Sequence, residues 1–385
     1  MEIYLDNAAT TKPEKEVVNA MMKALNEMYG NPSSLHSKGL EVEKEIKKIR
    51  RLLARALGCD EKEIIFTSGG TESNNLAIRG LIERNKRQGN HIITSKIEHK
   101  SILNLYQKLE KEGYKTTYLD VDEGGFISLE QLKEVISEDT ILVSIIHVNN
   151  EVGSIQDIKE ISKIVKGYNP QISIHVDGVQ SFGKIKYHVK DLNIDTLAIS
   201  GHKVNGPKGI GALYINKNIK INPLLIGGGQ EGSLRGGTEN VPGIFGLGEA
   251  TRLLIENQDI YIEKIYNLKK YLMDLLEKEI KGIQINNKLN DNYAPHIVSI
   301  LLPGIKSEIM LHSLASDGIY VSSGSACSSK DRKLNHVLQA MGIKDEYIDS
   351  AIRISLNHRN TMEEIDYFVK KLKEHYITLK RIIRR

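Results

Sequence analysis

A lysine in a short loop and an acid at the end of an earlier strand are the residues best placed for covalent chemistry. Lys203 lies among small and polar residues between two predicted buried strands, 194–199 and 210–215. Asp177 ends the predicted strand 172–177. A partly desolvated lysine amine has a lowered pKa, so it can form an imine with a bound carbonyl compound.

This acid and lysine form the arrangement that pyridoxal 5'-phosphate needs. The carboxylate keeps the pyridine nitrogen protonated, so that the ring accepts electrons, and the lysine holds the aldehyde. A lysine alone in a glycine-rich turn is usually a solvated surface residue. The acid one strand earlier therefore favours the cofactor site.

Two other loops follow predicted strands and carry polar groups. Gly70 and Thr71 open a helix after strand 63–67, and the free N–H groups and dipole of a helix N-terminus favour a phosphate. Simple capping by Ser68 or Thr71 is the alternative there. Asn150 follows the apolar strand 140–146, and ligands bind beyond the carboxyl ends of such strands. It is a candidate hydrogen-bond partner for the phenolic oxygen of the cofactor, and a turn-forming asparagine is the alternative.

The segments around these residues resemble a known family. Ser200–Lys203, followed by Gly-Pro-Lys-Gly at 206–209, and Asp177 with Gln180 resemble class V aminotransferase-type enzymes, which are fold-type I pyridoxal phosphate enzymes. Within that group the sequence is similar to the cysteine desulfurases of the NifS/IscS type. The resemblance extends over nearly the whole chain, from Tyr4 to the region of Arg353.

The resemblance implies an α/β fold, and the repeated alternation of strand and helix in the middle of the chain agrees with it. We expect a mostly parallel, seven-stranded large domain at residues 15–255. A smaller α+β domain is expected from residues 1–14 together with 256–385, carrying a cysteine loop. Predicted elements of this part include a strand at 297–302 and a final helix at 362–381.

The resemblance also implies roles for particular residues. His99 would stack on the cofactor ring and transfer protons, since imidazole is flat and titrates near neutrality. Arg353 would bind the substrate carboxylate, and Asn31 would lie close to the substrate. The expected cofactor-binding residues are Gly70, Thr71, His99, Asn150, Asp177, Gln180, Ser200, His202, Lys203 and Thr238. Because Thr238 would reach the cofactor of a partner subunit, a homodimer is expected.

Cys327 decides the activity that the sequence predicts. It lies in a run of serines, glycine and alanine at 322–329 that offers little core packing, and Lys330 and Arg332 favour its thiolate form. The run resembles the Ser-Gly-Ser-Ala-Cys loop of NifS/IscS enzymes, in which the cysteine is a nucleophile.

The implied reaction starts from L-cysteine. Lys203 removes the α-proton, Cys327 attacks the substrate sulfur, and alanine leaves while a persulfide stays on Cys327. The sulfur then passes to an acceptor: an iron–sulfur scaffold, a tRNA thiolation enzyme and a thiamine route all stay open. No metal site is expected apart from a transient contact of Cys327 with an iron–sulfur cluster.

Composition excludes several other classes of protein. A net charge of +4 over 385 residues requires neither nucleic acid nor a membrane as partner. No apolar run approaches the roughly 18 residues of a membrane helix, and early acids argue against a signal peptide. The chain has only two cysteines, Cys59 and Cys327, which favours a reducing cytoplasm.

Two alternatives to the desulfurase stay open. One is another pyridoxal phosphate enzyme of the same fold, such as a selenocysteine lyase or an aminotransferase. The other is a non-enzymatic scaffold, which would have no need of Asp177 and Lys203. Asn205 and the pair Asn357 and His358 depart from the pattern expected of the family, so substrate preference is not fixed by the resemblance.

Overall fold

Most strands of the larger sheet are short and buried along their whole length, as expected for a sheet covered on both faces, whereas the edge strand Lys115–Leu119 is partly exposed. The computed structural model describes residues 2–323 and 334–383 of the chain. In that part, the strands of this sheet are ordered β2-β8-β7-β6-β5-β3-β4. β8 runs antiparallel to both neighbours, and the other pairs are parallel. Their bounds are β2 Ile64–Thr67, β3 His91–Ser95, β4 Lys115–Leu119, β5 Thr140–Ile146, β6 Ser173–Asp177, β7 Thr196–Ser200 and β8 Gly211–Ile215.

A smaller antiparallel sheet, ordered β12-β13-β10-β9, contains strands from the last third of the chain. β1 pairs in parallel with β11 beside it, so the first residues pack on the C-terminal part as the sequence predicted. The bounds are β1 Ile3–Tyr4, β9 Gln284–Ile285, β10 Ile297–Leu301, β11 Ile319–Tyr320, β12 Ser322–Ser323 and β13 Ala351–Ser355.

Helices connect and cover the strands. Their bounds are α1 Lys15–Asn26, α2 Ser37–Leu57, α3 Gly70–Asn85, α4 Lys100–Lys111, α5 Leu129–Val135, α6 Ile158–Tyr168, α7 Val189–Leu192, α8 Val241–Glu279, α9 Ser307–Ser316, α10 His336–Ala340, α11 Asp345–Ile348 and α12 Met362–Ile383. None of the helices in the described ranges is long and apolar enough to cross a bilayer.

The spacing of Leu40, Ile46, Ile49, Leu53 and Leu57 predicts a helix with one apolar face over about residues 37–57, and α2 confirms these bounds. Gly58 ends the helix in the left-handed conformation, with a φ of 70°. Its N–H donates hydrogen bonds to the carbonyl oxygens of Ala54 and Arg55 in the last turn. The predicted apolar face was wrong at Leu40, which is 45% exposed, whereas Val42 is fully buried. The 3.6-residue period turns Leu40 away from the core that Ile46 and Leu53 share.

Separate buried clusters lie under the two sheets. One includes Ile174, Val176 and Leu197 of the larger sheet, and another includes Ile300 and Ile354 of the smaller one. The proposed division into 15–255 and 1–14 plus 256–385 agrees with these clusters but stays a prediction. The carboxyl ends of β5, β6 and β7 point toward the smaller sheet, where a cavity opens.

Candidate active site

A cavity of about 370 Å³ lies at the carboxyl ends of β5, β6 and β7, with β12 and β13 on its other side. It brings together most of the side chains that the sequence singled out. The predicted residues that line it are Gly70, Thr71, His99, Asn150, Asp177, Gln180, Ser200, His202, Lys203 and Arg353.

Lys203 is positioned by the turn that follows β7. The turn Gly201–Lys203 carries its side chain, and Nζ donates hydrogen bonds to the carbonyl oxygens of Ala8 at 2.6 Å and Ala9 at 2.7 Å. Burial, with the positive charge of Arg353 nearby, lowers the pKa of Lys203 to about 8. A useful fraction of neutral amine is therefore present near neutral pH, as a nucleophilic lysine requires.

Asp177 ends β6 and is buried. Its Oδ2 accepts a hydrogen bond from Asn74 Nδ2 at 2.9 Å, and its Oδ1 accepts one from the backbone N–H of Val179 at 3.0 Å. Asn74 Oδ1 lies 3.0 Å from His175 Nε2. Burial lowers the pKa of His175 to about 3, so this imidazole is neutral and donates through Nε2. The sequence analysis missed Asn74, whose position one turn after the glycines that open α3 was the available signal.

His99 lies at the N-terminus of α4 and lines the cavity. Its Nδ1 accepts a hydrogen bond from the backbone N–H of Ser101 at 3.2 Å, and the Ser101 hydroxyl also binds Asn74. Desolvation by the surrounding protein atoms lowers the pKa of His99, although the negative charge of Asp177 opposes the shift. The ring is therefore neutral around pH 7, which suits stacking and proton transfer.

The N-terminus of α3 forms one wall of the cavity. Gly69, with a φ of 149°, precedes the helix, and no side chain among the described residues caps it. The alternative of capping by Ser68 or Thr71 was therefore wrong. A Cβ on Gly70 would lie 2.6 Å from Val179 Cγ2, so glycine is needed for this close approach. The free N–H groups of the first turn are available to an anion.

Arg353 projects from β13 and is buried. Its Nη2 donates to Asp6 Oδ1 at 2.9 Å, and its Nη1 donates to the backbone oxygen of Asn150 at 2.8 Å. Glu151 Oε1 lies 3.5 Å from Nη1 and accepts a hydrogen bond from Asn150 Nδ2 at 2.8 Å. The Asn150 amide is thus tied to the arginine through Glu151.

Gln180 and His202 hold the N-terminal segment against the cavity. Gln180 Nε2 donates to the Ala8 carbonyl at 2.8 Å, and its Oε1 lies 3.3 Å from His296 Nε2. His202 Nδ1 lies 3.2 Å from Thr10 Oγ1. Burial lowers the pKa of His202 to about 4, so it is neutral.

Two predicted residues of the described part of the chain do not line the cavity. Asn31 caps a local turn by accepting the N–H of Ser33 at 2.9 Å, and it does not line the cavity. Thr238 is exposed and does not line it either. Cys327 lies outside the described residues.

The sequence analysis also missed Glu98, which precedes His99 in the chain. Its Oε1 accepts hydrogen bonds from Ser95 Oγ at 2.6 Å and from the N–H of Ile146 at 2.9 Å. Burial raises the pKa of Glu98 to about 8, so it is largely protonated at neutral pH. Nothing local in the sequence indicates that this acid is buried beneath the site.

The sequence profile of the class-V aminotransferases matches residues 3–368. The cysteine desulfurase IscS of Clostridium botulinum is 45% identical over 372 residues, which cover 96% of this chain and 93% of that protein. The chain belongs to the class-V aminotransferase family. Its relatives place it among the cysteine desulfurases, as the sequence predicted.

Solved structures of this family support the fold. A NifS-like protein superposes with a TM-score of 0.92 at 39% identity, covering 97% of this chain and 99% of the other. SspA in complex with cysteine gives a TM-score of 0.80 at 36% identity, covering 93% and 100%. The predicted α/β fold of fold-type I enzymes is therefore confirmed.

Membership of this family implies pyridoxal 5'-phosphate as the cofactor, and the described residues fit it. The uncapped helix N-terminus with a glycine at Gly70 suits a phosphate, the buried carboxylate of Asp177 suits a pyridinium nitrogen, and Lys203 offers an amine of lowered pKa. All three border one cavity.

Proposed function

We propose that this chain uses pyridoxal 5'-phosphate to remove sulfur from L-cysteine, yielding L-alanine and a persulfide on Cys327. The supporting observation is one cavity lined by a lysine of lowered pKa, a buried aspartate and a buried arginine: Lys203, Asp177 and Arg353. The first two suit the cofactor, and the third suits the carboxylate of an amino acid.

The cofactor would be held by residues from several elements. Gly70 and Thr71 at the start of α3 would bind its phosphate, Asp177 would keep a proton on the ring nitrogen, and His99 would cover the ring. When bound, the cofactor supplies an electron-withdrawing ring that stabilises negative charge at the substrate α-carbon. Hydrogen bonds to both carboxylate oxygens fix the orientation of Asp177.

The protein's own groups carry the remaining steps. Arg353 binds the substrate carboxylate, and the neutral amine of Lys203 takes the proton from the α-carbon. The carbonyl oxygens of Ala8 and Ala9 receive the ammonium that results, as they receive Lys203 Nζ in this structure.

Sulfur transfer falls to the Cys327 thiolate. It forms an S–S bond to the substrate sulfur while the C–S bond breaks, and the carbon keeps the electron pair and gains a proton, which gives alanine. The persulfide sulfur then passes to an acceptor, for which an iron–sulfur scaffold or a tRNA thiolation enzyme are the proposed classes.

The active form is proposed to be a homodimer. Large apolar side chains are exposed near the two predicted residues that the cavity lacks: Tyr29 at 71% and Leu35 at 105% flank Asn31, and Ile226 at 91% lies in the loop before Thr238. Exposed apolar groups of this size are typical of interaction surfaces. Mixed dimers of Lys203→Ala and Thr238→Ala subunits should regain activity that neither homodimer has, if Thr238 serves the partner's site.

The proposed reaction is tested by a comparison of the two cysteines. The purified protein receives pyridoxal phosphate and L-cysteine without reductant, and alanine and protein-bound persulfide are measured. Cys327→Ala should abolish both products. Cys59→Ala is the matched control, because Cys59 is half-buried and its pKa is raised to about 12, mainly by burial, so it is a poor nucleophile.

Alternative outcomes separate the rival functions. Full alanine release by the Cys327→Ala variant would point to a lyase or an aminotransferase of the same fold. Failure of the wild-type protein to take up the cofactor would remove the assignment of Lys203. A cytoplasmic location is proposed as well, supported by the low cysteine content.

A further inference from the structure

The guanidinium of Arg353 has one N–H group that has no hydrogen-bond acceptor among the described residues. Nη1 donates to the Asn150 carbonyl and faces Glu151, and Nη2 donates to Asp6 Oδ1 at 2.9 Å. Nε is buried and has no hydrogen-bond partner within residues 2–323 and 334–383. Nε and Nη2 form one edge of the guanidinium, the geometry that a carboxylate grips with two oxygens. Asp6 supplies only one oxygen to that edge.

The two acids beside Arg353 are held differently. The carboxylate of Glu151 also accepts hydrogen bonds from Asn150 Nδ2 at 2.8 Å and Asn335 Nδ2 at 3.3 Å. The carboxylate of Asp6 has Arg353 as its hydrogen-bond partner in the described part of the chain, and its side chain is 21% exposed. Asp6 can therefore turn toward solvent by giving up one ion pair.

The backbone around Asp6 is fixed independently of its side chain. The chain at Asp6 bridges to Ser355 of β13, and Asn7 N–H donates to the Ser355 carbonyl at 3.3 Å. The Ser355 hydroxyl receives the N–H of Ala8 at 2.8 Å. Movement of the Asp6 carboxylate thus requires a side-chain rotation and no change of strand pairing.

We propose that Asp6 competes with the substrate by occupying the carboxylate-binding edge of Arg353 until a substrate carboxylate displaces it. The inference rests on the proposed function, which assigns Arg353 to the substrate. An incoming α-carboxylate brings two oxygens, so it can accept hydrogen bonds from both Nη2 and Nε of Arg353. The buried Nε donor then gains a hydrogen-bond partner. A ligand without an α-carboxylate cannot make this exchange, so Asp6 lowers the affinity of the site for amino acids and leaves the affinity for their amides unchanged.

The test compares L-alanine with L-alaninamide, which lacks the carboxylate, as ligands of the cofactor-loaded protein in calorimetry. Asp6→Asn should tighten alanine binding about tenfold, equivalent to about 1.4 kcal/mol, because the resident carboxylate no longer competes. Binding of alaninamide should not change. Asp6→Glu, which restores a carboxylate, should bring alanine affinity back toward the wild-type value. Unfolding midpoints establish that each variant is folded.

Glu151→Gln is the matched control. It also removes one negative charge next to Arg353, but Glu151 faces Nη1 and does not occupy the Nε and Nη2 edge that the substrate carboxylate would take. A smaller change than that of Asp6→Asn supports the proposal. Equal tightening by both variants would show an effect of charge alone and overturn it, as would unchanged alanine binding or equal tightening of alaninamide in Asp6→Asn.

Arg353→Gln separates this inference from the function on which it rests. Loss of the preference for alanine over alaninamide confirms that Arg353 binds the carboxylate. If that preference is lost in Arg353→Gln while Asp6→Asn binds alanine like the wild type, only the role of Asp6 fails. If Arg353→Gln keeps the preference, the assignment of Arg353 fails, and with it the inference.

Discussion

Asn74 Nδ2 donates a 2.9 Å hydrogen bond to Asp177 Oδ2, and Asn74 Oδ1 accepts a hydrogen bond from His175 Nε2. The amide is therefore fixed in one orientation, with its NH₂ group toward the carboxylate. The same NH₂ group also binds the hydroxyl of Ser101, whose N–H donates to His99. Asp177 and His99 are thus joined by Asn74 of α3 and Ser101 of α4, two residues of the cavity wall that are distant in the sequence.

We expect Asn74→Ala to weaken cofactor binding about tenfold, because a buried carboxylate that loses a hydrogen bond is destabilised by roughly 1–3 kcal/mol. Titration of the cofactor-free protein with pyridoxal phosphate, followed by its absorbance, measures the change. Asn75→Ala is the control, since the Asn75 side chain donates to the Thr71 carbonyl on the exposed side of the helix and has no other hydrogen bond among the described residues. Equal affinity of both variants would contradict the role of Asn74.

The lowered pKa of Lys203 predicts how cofactor uptake depends on pH. The neutral amine is the reactive form, and with a pKa of about 8 its fraction rises as the pH increases toward 8 and levels off above it. The rate of pyridoxal phosphate uptake by the cofactor-free protein should therefore increase between pH 6 and about 8. A rate that keeps rising to pH 10 would indicate an unperturbed lysine.

Glu98 predicts a pH dependence of stability. Its pKa is about 8 in the folded protein and near 4.5 when unfolded, so the folded state holds a proton that the unfolded state has released. The contribution of this proton to the free energy of unfolding is complete below pH 4.5 and is lost as the pH rises to about 8. Compared with the wild type, Glu98→Gln should become progressively more stable over this interval.

Chemical denaturation at several pH values measures the difference in unfolding free energy between wild type and Glu98→Gln. The exposed Glu123→Gln serves as control, with no trend expected. A difference between wild type and Glu98→Gln that is constant from pH 5 to 8 would mean that the buried acid is already ionised.

Gly70 should tolerate no side chain. Gly70→Ala places a Cβ 2.6 Å from Val179 Cγ2, which forces the helix start away from the cavity wall and should reduce cofactor affinity at least about tenfold. Val179→Ala in the same protein removes the clash and should restore most of the affinity. Gly167→Ala, which meets no atom within 4 Å, should have no effect on the affinity.

The sequence predicted the elements whose signals are local. Helix 37–57 is marked by its apolar period and by the glycine that ends it, and the lysine loop is marked by its flanking strands. Leu40 was misplaced because the 3.6-residue period puts it on the outer face of the helix, whereas Val42 falls on the buried face with Ile46. The cavity residues were found through motifs that follow strand ends, where parallel strands bring distant segments to one edge.

What the sequence could not predict are partners that meet only after folding. Asp6 and Arg353 stand near opposite ends of the chain, and no periodicity joins them. The burial of Glu98 likewise depends on the N–H of Ile146 on a neighbouring strand. For Asn31 and Thr238 a single chain gives no contact with the cavity, so their predicted roles depend on a second subunit.

The pairing of the N-terminal segment has a consequence for biosynthesis. Lys203 depends on the carbonyl oxygens of Ala8 and Ala9, and this segment is anchored to Ser355. During synthesis, the N-terminal segment therefore cannot take its final position until residue 355 has left the ribosome. The larger sheet can form earlier on the nascent chain, but the lysine pocket closes only near the end of translation.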